Sequence, residues 1–260
     1  MLPMNPKPLI LVTNDDGITA KGIQTLIEIM SQIGQVVVVA PDKPQSAMGH
    51  AITINNMLHL NKFDAINPEI LQYSCSGTPV DCVKIAVSEI LDRKPDLCVS
   101  GINHGSNSSI NVIYSGTMSA AVEAGIEGIP AIGFSLSDYD ANANFDHTIP
   151  FIKKIVNNVL EKKLPSGTVL NVNFPKFSDK TINGIKICRQ ANAQWVEKFD
   201  KRQSPFGKDY YWLTGKFVNF ESDANDTDEW ALANNYISIV PVQFDMTAHE
   251  QIENLKKWSL

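Results

Sequence analysis

The segment from Pro8 to Gly17 reads PLILVTNDDG, an apolar run that is followed almost at once by two carboxylates and a glycine. The apolar run from Pro8 to Val12 predicts a buried strand, and Gly17 allows the chain to turn away from it. Ligands of open parallel sheets bind outside the carboxyl ends of the strands, where Asp15 and Asp16 would lie. Adjacent carboxylates in such a crevice repel each other unless a cation or a proton neutralises them. The motif therefore indicates a divalent-metal site, although a solvated turn that caps a helix explains it equally well.

The sequence after this segment alternates between helical and strand patterns. Apolar residues recur on one helical face over residues 20–33, and the run of valines at 36–39 is typical of a strand buried on both faces of a parallel sheet. This order predicts an α/β fold with a doubly wound, mostly parallel sheet between two layers of helices. The helix and strand pairs that extend it are 78–91 with 96–100, 115–125 with 131–135, and 149–160 with 169–173.

The composition of the chain changes after Pro175. Residues 1–175 are predicted to form one core that carries the catalytic groups. Residues 176–260 contain clustered aromatic residues and an acidic stretch, which predict a β-rich extension that ends in a helix. An extension of this kind either packs on another subunit or folds back on its own core, and the sequence leaves both alternatives open.

Length and charge limit the classes of function. The chain has 260 residues, of which 43% are hydrophobic and 19% charged, as in ordinary globular proteins. The formal net charge is −6 and no basic run is present, which argues against extended nucleic acid as a partner but leaves a small phosphorylated ligand open. No apolar run reaches the length of a membrane span or of a signal peptide. We therefore expect a cytoplasmic protein without a membrane partner.

Cysteine and histidine usage argues against two further classes. The four cysteines are widely spaced and form no CxxC pair, so a disulfide framework or a zinc ribbon is not indicated. The five histidines never pair at helical metal-binding spacing, which argues against a zinc hydrolase.

Candidate metal ligands come from three polar loops at the predicted sheet edge. Besides Asp15 and Asp16, these are the hydroxyl group of Ser46 and the amide group of Asn103. An all-oxygen set suits Mg²⁺ or Mn²⁺, with Ca²⁺ as another occupant, better than Zn²⁺ or Cu²⁺. The alternative for Ser46 is a loop residue that bonds its own backbone.

Two predicted helix starts have the composition of phosphate sites. Helix N-termini present unpaired amides, and glycine lets an anion approach closely. The alternative is ordinary capping, since Thr78 with Asp81 forms a capping box and Ser115 or Thr117 can cap a helix as well. The candidate phosphate-binding residues are Asn14, Gly77, Thr78, Asn107, Ser115, Gly116 and Thr117.

Several common catalytic motifs are absent from the sequence. The spacing of Gly17 and Gly22 matches a Walker loop, but Ile23 stands where the lysine must be. There is no dinucleotide-binding fingerprint and no nucleophile elbow. A phosphoacceptor receiver domain would need an aspartate at the end of the central strand, where Ser100 stands instead.

Six motifs are spread over nearly the whole chain: Asn14-Asp15-Asp16-Gly17, Pro41-Asp42 with Ser46, Gly77-Thr78-Pro79, Ser100-Gly101-Ile102-Asn103, Tyr114-Ser115-Gly116-Thr117 and Asp245-Met246-Thr247-Ala248-His249. Together they resemble the SurE family of stationary-phase survival proteins, and the likeness covers nearly the whole chain. The resemblance implies a Rossmann-like core and a metal-dependent phosphomonoesterase acting on small-molecule nucleoside 5′-monophosphates and sometimes 3′-monophosphates. It also implies an extension exchanged between the subunits of a homodimer or homotetramer. The family's metal ligands correspond to Asp15, Asp16, Ser46 and Asn103.

Two mechanisms and one non-catalytic alternative remain open at this point. A metal-positioned water could attack the phosphoryl group, or Asp15 or Asp16 could attack it directly to form a phosphoaspartate. The alternative function is a metal-dependent nucleotide-binding module in which the same loops hold a phosphate without breaking its ester bond.

Overall fold

The structure is a computed structural model that describes residues 7–64, 67 and 69–259, and in it the opening apolar segment forms strand β1 (Leu9–Thr13). All five residues of β1 are buried. Helix α1 (Lys21–Ser31) and strand β2 (Gln35–Pro41) follow, and β2 runs parallel to β1. The remaining elements are β3 (Leu60–Lys62), β4 (Leu71–Cys75), α2 (Pro79–Ile85), a π-helical turn (Ala86–Ile90), β5 (Leu97–His104), α3 (Asn111–Tyr114), α4 (Gly116–Ile126), β6 (Ala131–Leu136), a 3-10 turn (Asp146–Thr148), α5 (Ile149–Lys162), β7 (Thr168–Phe174), β8 (Ile185–Ile187), β9 (Ala193–Gln203), β10 (Asp209–Asn219), α6 (Asp228–Ala233), β11 (Ile237–Gln243) and α7 (His249–Leu255).

Nine strands form one sheet in the order β3-β4-β2-β1-β5-β6-β7-β11-β8. Most neighbouring strands are parallel, whereas β3 and β11 run antiparallel to β4 and β7. The chain passes from β1 to β2 on one side and later places β5 on the other side of β1. A crevice opens where the strand order reverses in this way, outside the carboxyl ends of β1 and β5. The predicted doubly wound α/β fold is confirmed.

The alternation of side chains in β1 divides the core into two layers. Ile10 and Val12 pack in one cluster with residues of α1 and α5. Leu9 and Leu11 point to the opposite face and pack with residues of α2 and α4. Because both faces are covered, the central strands are apolar on both sides, and the polar groups concentrate beyond their ends.

The C-terminal residues contribute to two different sheets. β8 and β11 join the main sheet beside β7. Among the strands of the described residues, β9 and β10 pair only with each other, in a ribbon of 11 residues per strand. The boundary at residue 175 remains a prediction. In the described part of the chain, no helix combines the length and the apolar character that crossing a membrane requires.

Candidate active site

A cavity of about 190 Å³ lies at the carboxyl edge of the sheet, beyond β1 and β5. Three of the four predicted metal ligands, Asp15, Ser46 and Asn103, line it. Two of the predicted phosphate-binding residues, Asn107 and Ser115, line it as well. The fold therefore brings residues from four separate loops to one place. The other lining residues are Ala47, His104, Gly105, Ser106, Asn111, Tyr114 and Tyr139.

Asp15 is a buried carboxylate that the start of α4 holds in place. Its Oδ1 accepts a hydrogen bond from Thr117 Oγ1 at 2.5 Å, and a Cβ atom added to Gly116 would lie 2.7 Å from its own Cβ. Burial, followed by the charge of Asp16, raises the pKa of Asp15 from 3.8 to about 6, against the lowering effect of the Thr117 bond. A cation beside Asp15 would lower this pKa, because a neighbouring positive charge favours the ionised carboxylate.

Asp16 is oriented by the residue that follows Asn103. Its Oδ2 accepts hydrogen bonds from His104 N at 3.2 Å and from His104 Nδ1 at 3.1 Å. The imidazole ring of His104 packs edge-on against Phe145, with ring centroids 5.1 Å apart. Asp16 follows Asp15 directly, and its side chain is 20% exposed, although it is not among the residues that line the cavity.

Asn103 reaches the cavity because the end of β5 is irregular. The pairing of β5 with β6 shifts register between Ser100 and Asn103, and Gly101 has a φ of +127°, which favours glycine. Asn103 Nδ2 donates to the Gly105 carbonyl oxygen at 2.7 Å. The side-chain oxygen of Asn103 is therefore the atom left to act as a ligand.

Ser46 lies exposed on the loop that follows β2. The backbone ties this loop to the carboxylates, since Gln45 N donates to the Asp15 carbonyl oxygen at 2.7 Å. Ser46 therefore faces the same cavity as Asp15 and Asn103 although it comes from a different strand.

The donor chemistry of the cavity fits a hard divalent cation. In residues 7–64, 67 and 69–259, no group of three or more His, Cys, Asp and Glu side chains is arranged as a metal site. The candidate set instead combines the Asp15 and Asp16 carboxylates with neutral oxygens from Ser46 and Asn103. Such oxygen sets suit Mg²⁺, Mn²⁺ or Ca²⁺. The raised pKa of the buried Asp15 carboxylate is consistent with a cation site.

The start of α4 is the helix N-terminus that faces the cavity. Ser115 is its N-cap residue and accepts a hydrogen bond from Met118 N at 3.0 Å. Gly116 and Thr117 form the first turn, but the hydroxyl group of Thr117 donates to Asp15 rather than into the cavity. The backbone amides of this turn and the hydroxyl proton of Ser115 are thus left to hold an anion.

The other predicted phosphate-binding residues are used differently. Asn14 Nδ2 donates to the Gly17 carbonyl oxygen at 2.9 Å and so stabilises the turn after β1. Thr78 caps α2, since its Oγ1 accepts from Asp81 N at 3.2 Å and donates to the Ala51 carbonyl oxygen at 2.7 Å. Asn14, Gly77 and Thr78 are not among the residues that line the cavity, and neither are Gly116 and Thr117.

The sequence analysis missed the network that holds the loop after β5. The carbonyl group and the amide of Asn107 bond to Asn171 and Asn173 on β7, at 2.8 Å each. Asp228 Oδ2 accepts from Ser109 N at 2.7 Å on the other side of the loop. The available signal was the pair of asparagines two residues apart in an otherwise apolar strand, which places two polar side chains on one buried face.

Comparisons with known proteins agree with this fold over nearly its full length. The family described as survival protein SurE matches residues 10–197. A protein of Flavobacterium psychrophilum named 5′-nucleotidase SurE is 72% identical over 254 residues, which cover 98% of each chain. Its namesake in Bacteroides fragilis is 48% identical over 258 residues, which cover 98% of this chain and 99% of the relative. The crystal structure of a SurE protein from Aquifex aeolicus is similar with a TM-score of 0.83 at 37% identity, covering 96% of this chain and 98% of that one.

Proposed function

The chain belongs to the SurE family, and we propose that it is a metal-dependent phosphomonoesterase that converts nucleoside 5′-monophosphates, and also 3′-monophosphates, to nucleoside and phosphate. The naming of its relatives as 5′-nucleotidases supports the enzyme class. The observation that carries the metal-dependent part is the convergence of Asp15, Ser46 and Asn103 with the start of α4 on one cavity.

A divalent cation would be held by Asp15, Asp16, Ser46 and Asn103, and when bound it stabilises negative charge on the phosphoryl oxygens as a Lewis acid. The chain's own residues prepare this place. Thr117 fixes one oxygen of Asp15, and His104 fixes Asp16. The ligands are thus oriented before any cation binds, which lowers the cost of ordering them.

The phosphoryl oxygens would lie against the first turn of α4. The backbone amides of Ser115, Gly116 and Thr117 supply donors, and the helix dipole favours negative charge there. Asn107 Nδ2 donates one proton to Ser135 Oγ at 2.7 Å, and its second proton is available to a phosphoryl oxygen. Donors held in place in this way stabilise the charge that develops during in-line displacement.

The attacking group is either a water or one of the two carboxylates. Both routes release inorganic phosphate, but only attack by Asp15 or Asp16 passes through a phosphoaspartate. Rapid quenching followed by borohydride trapping separates them, because only the covalent route yields a labelled protein.

The proposed function is tested by phosphate release from a panel of 5′- and 3′-nucleoside monophosphates. Metal-stripped protein is assayed with and without added Mg²⁺, Mn²⁺, Zn²⁺ or Ca²⁺. We expect hydrolysis only after addition of Mg²⁺ or Mn²⁺. Binding of a nucleotide with metal but without turnover would instead favour the nucleotide-binding module.

We also propose a cytoplasmic homodimer or homotetramer that uses the C-terminal extension as its contact. The β9–β10 ribbon supports this, because it pairs with no other strand of the described chain and exposes Phe199, Phe206 and Trp212. Exposed aromatic surface of this kind is typical of subunit interfaces. The four cysteines are buried as free thiols, which suits a reducing compartment.

A further inference from the structure

A chain of hydroxyl groups connects the C-terminal extension with the cavity. It starts at Glu229 in the first turn of α6, where Oε1 accepts a hydrogen bond from Ser108 Oγ. Ser108 Oγ lies 2.6 Å from Ser106 Oγ, and Ser106 lines the cavity. Ser108 is 1% exposed, so the connection runs through the interior of the protein. It joins Glu229 to a residue more than a hundred positions earlier in the sequence.

The backbone around this connection is held by a second carboxylate. Asp228 is 1% exposed and accepts hydrogen bonds from Ser109 N at 2.7 Å and from Ala191 N at 3.0 Å. Ser109 has a φ of +53°, and its hydroxyl oxygen lies 2.8 Å from the carbonyl oxygens of both Ala191 and Ala193, which share its one proton. The loop that carries Ser106 and Ser108 is therefore anchored to the extension by several bonds, and the hydroxyl groups have fixed neighbours.

The direction of the hydrogen bonds follows from a count of protons. A hydroxyl group has one proton to donate and two lone pairs with which to accept. Ser108 donates its proton to Glu229, so Ser106 must be the donor between the two serines. The other acceptor within reach of Ser106 is Asn173 Oδ1 at 3.2 Å, which also lies inside the protein. The proton of Ser106 therefore points away from the cavity.

One acceptor position on Ser106 remains for a molecule in the cavity. Ser108 N donates to Ser106 Oγ at 3.1 Å and so uses one of its two lone pairs. Within the described part of the chain, the second lone pair has no partner. Oxygens of an ionised phosphate also only accept hydrogen bonds, so this lone pair repels them rather than binding them. Its partner in a bound nucleotide must be a donor, and the ribose hydroxyl groups are the donors nearest to the phosphate.

Building on the proposed function, we propose that Ser106 accepts a hydrogen bond from a ribose hydroxyl group of the substrate. Ser108 and Glu229 are positioning residues, because they hold the proton of Ser106 inside the protein and its lone pair toward the cavity. The enzyme therefore discriminates its substrate from an analogue that lacks this hydroxyl group, through a residue of the extension that does not touch the substrate.

The test compares AMP with 2′-deoxy-AMP and 3′-deoxy-AMP. We expect the wild type to prefer AMP over one of the two analogues by about fivefold in kcat/KM, the worth of one neutral hydrogen bond. Ser106→Ala should lower this ratio to near one, through KM rather than kcat. Glu229→Ala should lower the ratio as well, and adding Ser106→Ala to it should cause no further loss. Glu229→Gln keeps an acceptor oxygen for Ser108 and should retain the preference.

Asp96→Asn is the matched control. Asp96 accepts a hydrogen bond from Leu9 N at 2.8 Å beside the amino ends of β1 and β5, whereas the cavity lies at their carboxyl ends. It should leave the ratio unchanged. An AMP preference that survives Ser106→Ala, or its absence from the wild type, overturns the inference. Equilibrium binding of AMP and its deoxy analogues to metal-free protein gives the same ratio without turnover. A protein that binds with this preference but hydrolyses none of the nucleotides would overturn only the proposed function.

Discussion

Thr117 Oγ1 donates a hydrogen bond to Asp15 Oδ1 at 2.5 Å, and both side chains are almost fully buried. This contact joins the first turn of α4 to the end of β1. The helix start that presents its amides to the cavity therefore also sets the position of the carboxylate beside it. We expect the two parts of the site to respond together when this turn is changed.

Thr117→Val removes the hydroxyl group but keeps the shape of the side chain. The hydrogen bond stabilises the ionised form of Asp15, so its loss should raise the pKa of Asp15 above the present value of about 6. Protons compete with metal for this carboxylate, and metal binding should therefore weaken as the pH falls through that pKa. We expect the midpoint of the plot of metal affinity against pH to move upward by about 0.7 units, equivalent to about 1 kcal/mol.

Thr117→Ser is the control for this variant, because it retains the donor. Its midpoint should stay within about 0.2 units of the wild type, well below the shift expected for the valine variant. A midpoint that is equal in all three proteins would show that the hydroxyl group does not stabilise the Asp15 carboxylate.

Asp15→Asn should stabilise the metal-free protein at neutral pH while it removes activity. A folded-state pKa raised from 3.8 to about 6 means that ionised Asp15 destabilises the fold, on the order of 3 kcal/mol above pH 6. Asparagine can still accept the Thr117 bond and carries no charge. Denaturant titrations of both metal-free proteins from pH 3 to pH 8 measure the difference.

The sign of this difference follows from proton binding. Between pH 3.8 and about 6 the folded wild type binds more protons at Asp15 than the unfolded chain does, so its stability falls as the pH rises. The two proteins should match below about pH 4 and diverge until the pH passes 6. A constant difference over the whole range would contradict a raised pKa of Asp15.

The sequence was sufficient to predict most of the fold because burial on both faces leaves a direct trace. The valines of β2 and the apolar residues of β1 are continuous runs, and both segments are parallel central strands. The predicted helix over 78–91 is also present, although its second half is a π-helical turn, Ala86–Ile90. The periodicity of apolar residues indicates which face of a helix or strand is buried, and for β1, β2 and this helix that information was enough to predict the element.

The details of the site were less predictable because they depend on contacts between distant residues. Thr117 has the sequence context of a phosphate-binding residue, yet its hydroxyl group bonds to a carboxylate 102 positions earlier. Thr78 has the same context, and its hydroxyl group caps α2 and bonds to Ala51. Both are threonines beside a helix start, so local composition cannot distinguish them. The place of the preceding strand in the sheet distinguishes them. The strand before α4, β5, lies next to β1, whereas the strand before α2, β4, lies two places from β1.

Gly116→Ala should impair the site more than the fold. An added Cβ would lie 2.7 Å from Asp15 Cβ and 2.9 Å from Asp15 Oδ2, so the carboxylate must move. We expect at least a tenfold loss of kcat/KM, or about 1.4 kcal/mol, since small displacements of a catalytic group are costly. Calorimetric titration with Mn²⁺ should show weaker binding in the same variant.

Gly125→Ala is the matched control on the same helix. Its added Cβ would lie 2.7 Å from Val169 Cγ1, far along α4 from Asp15. It crowds the packing of α4 against β7 and should affect thermal stability rather than metal binding. If both alanine variants bind Mn²⁺ as the wild type does, the contact between Gly116 and Asp15 does not position the carboxylate.

Trp212→Ser combined with Phe199→Ser should reduce the oligomeric state. The two side chains are 60% and 68% exposed on the β9–β10 ribbon, and large aromatic side chains contribute strongly when an interface buries them. Light scattering during gel filtration should give a multiple of 28.7 kDa for the wild type and a smaller multiple for the variant.

Phe177→Ser, at an aromatic residue 47% exposed outside the ribbon, should keep the wild-type mass. A truncation before α7 tests the rest of the extension in the same way. A wild type that elutes as a monomer would rule out the proposed assembly, and an unchanged mass in the double variant would place its contact elsewhere than on the ribbon.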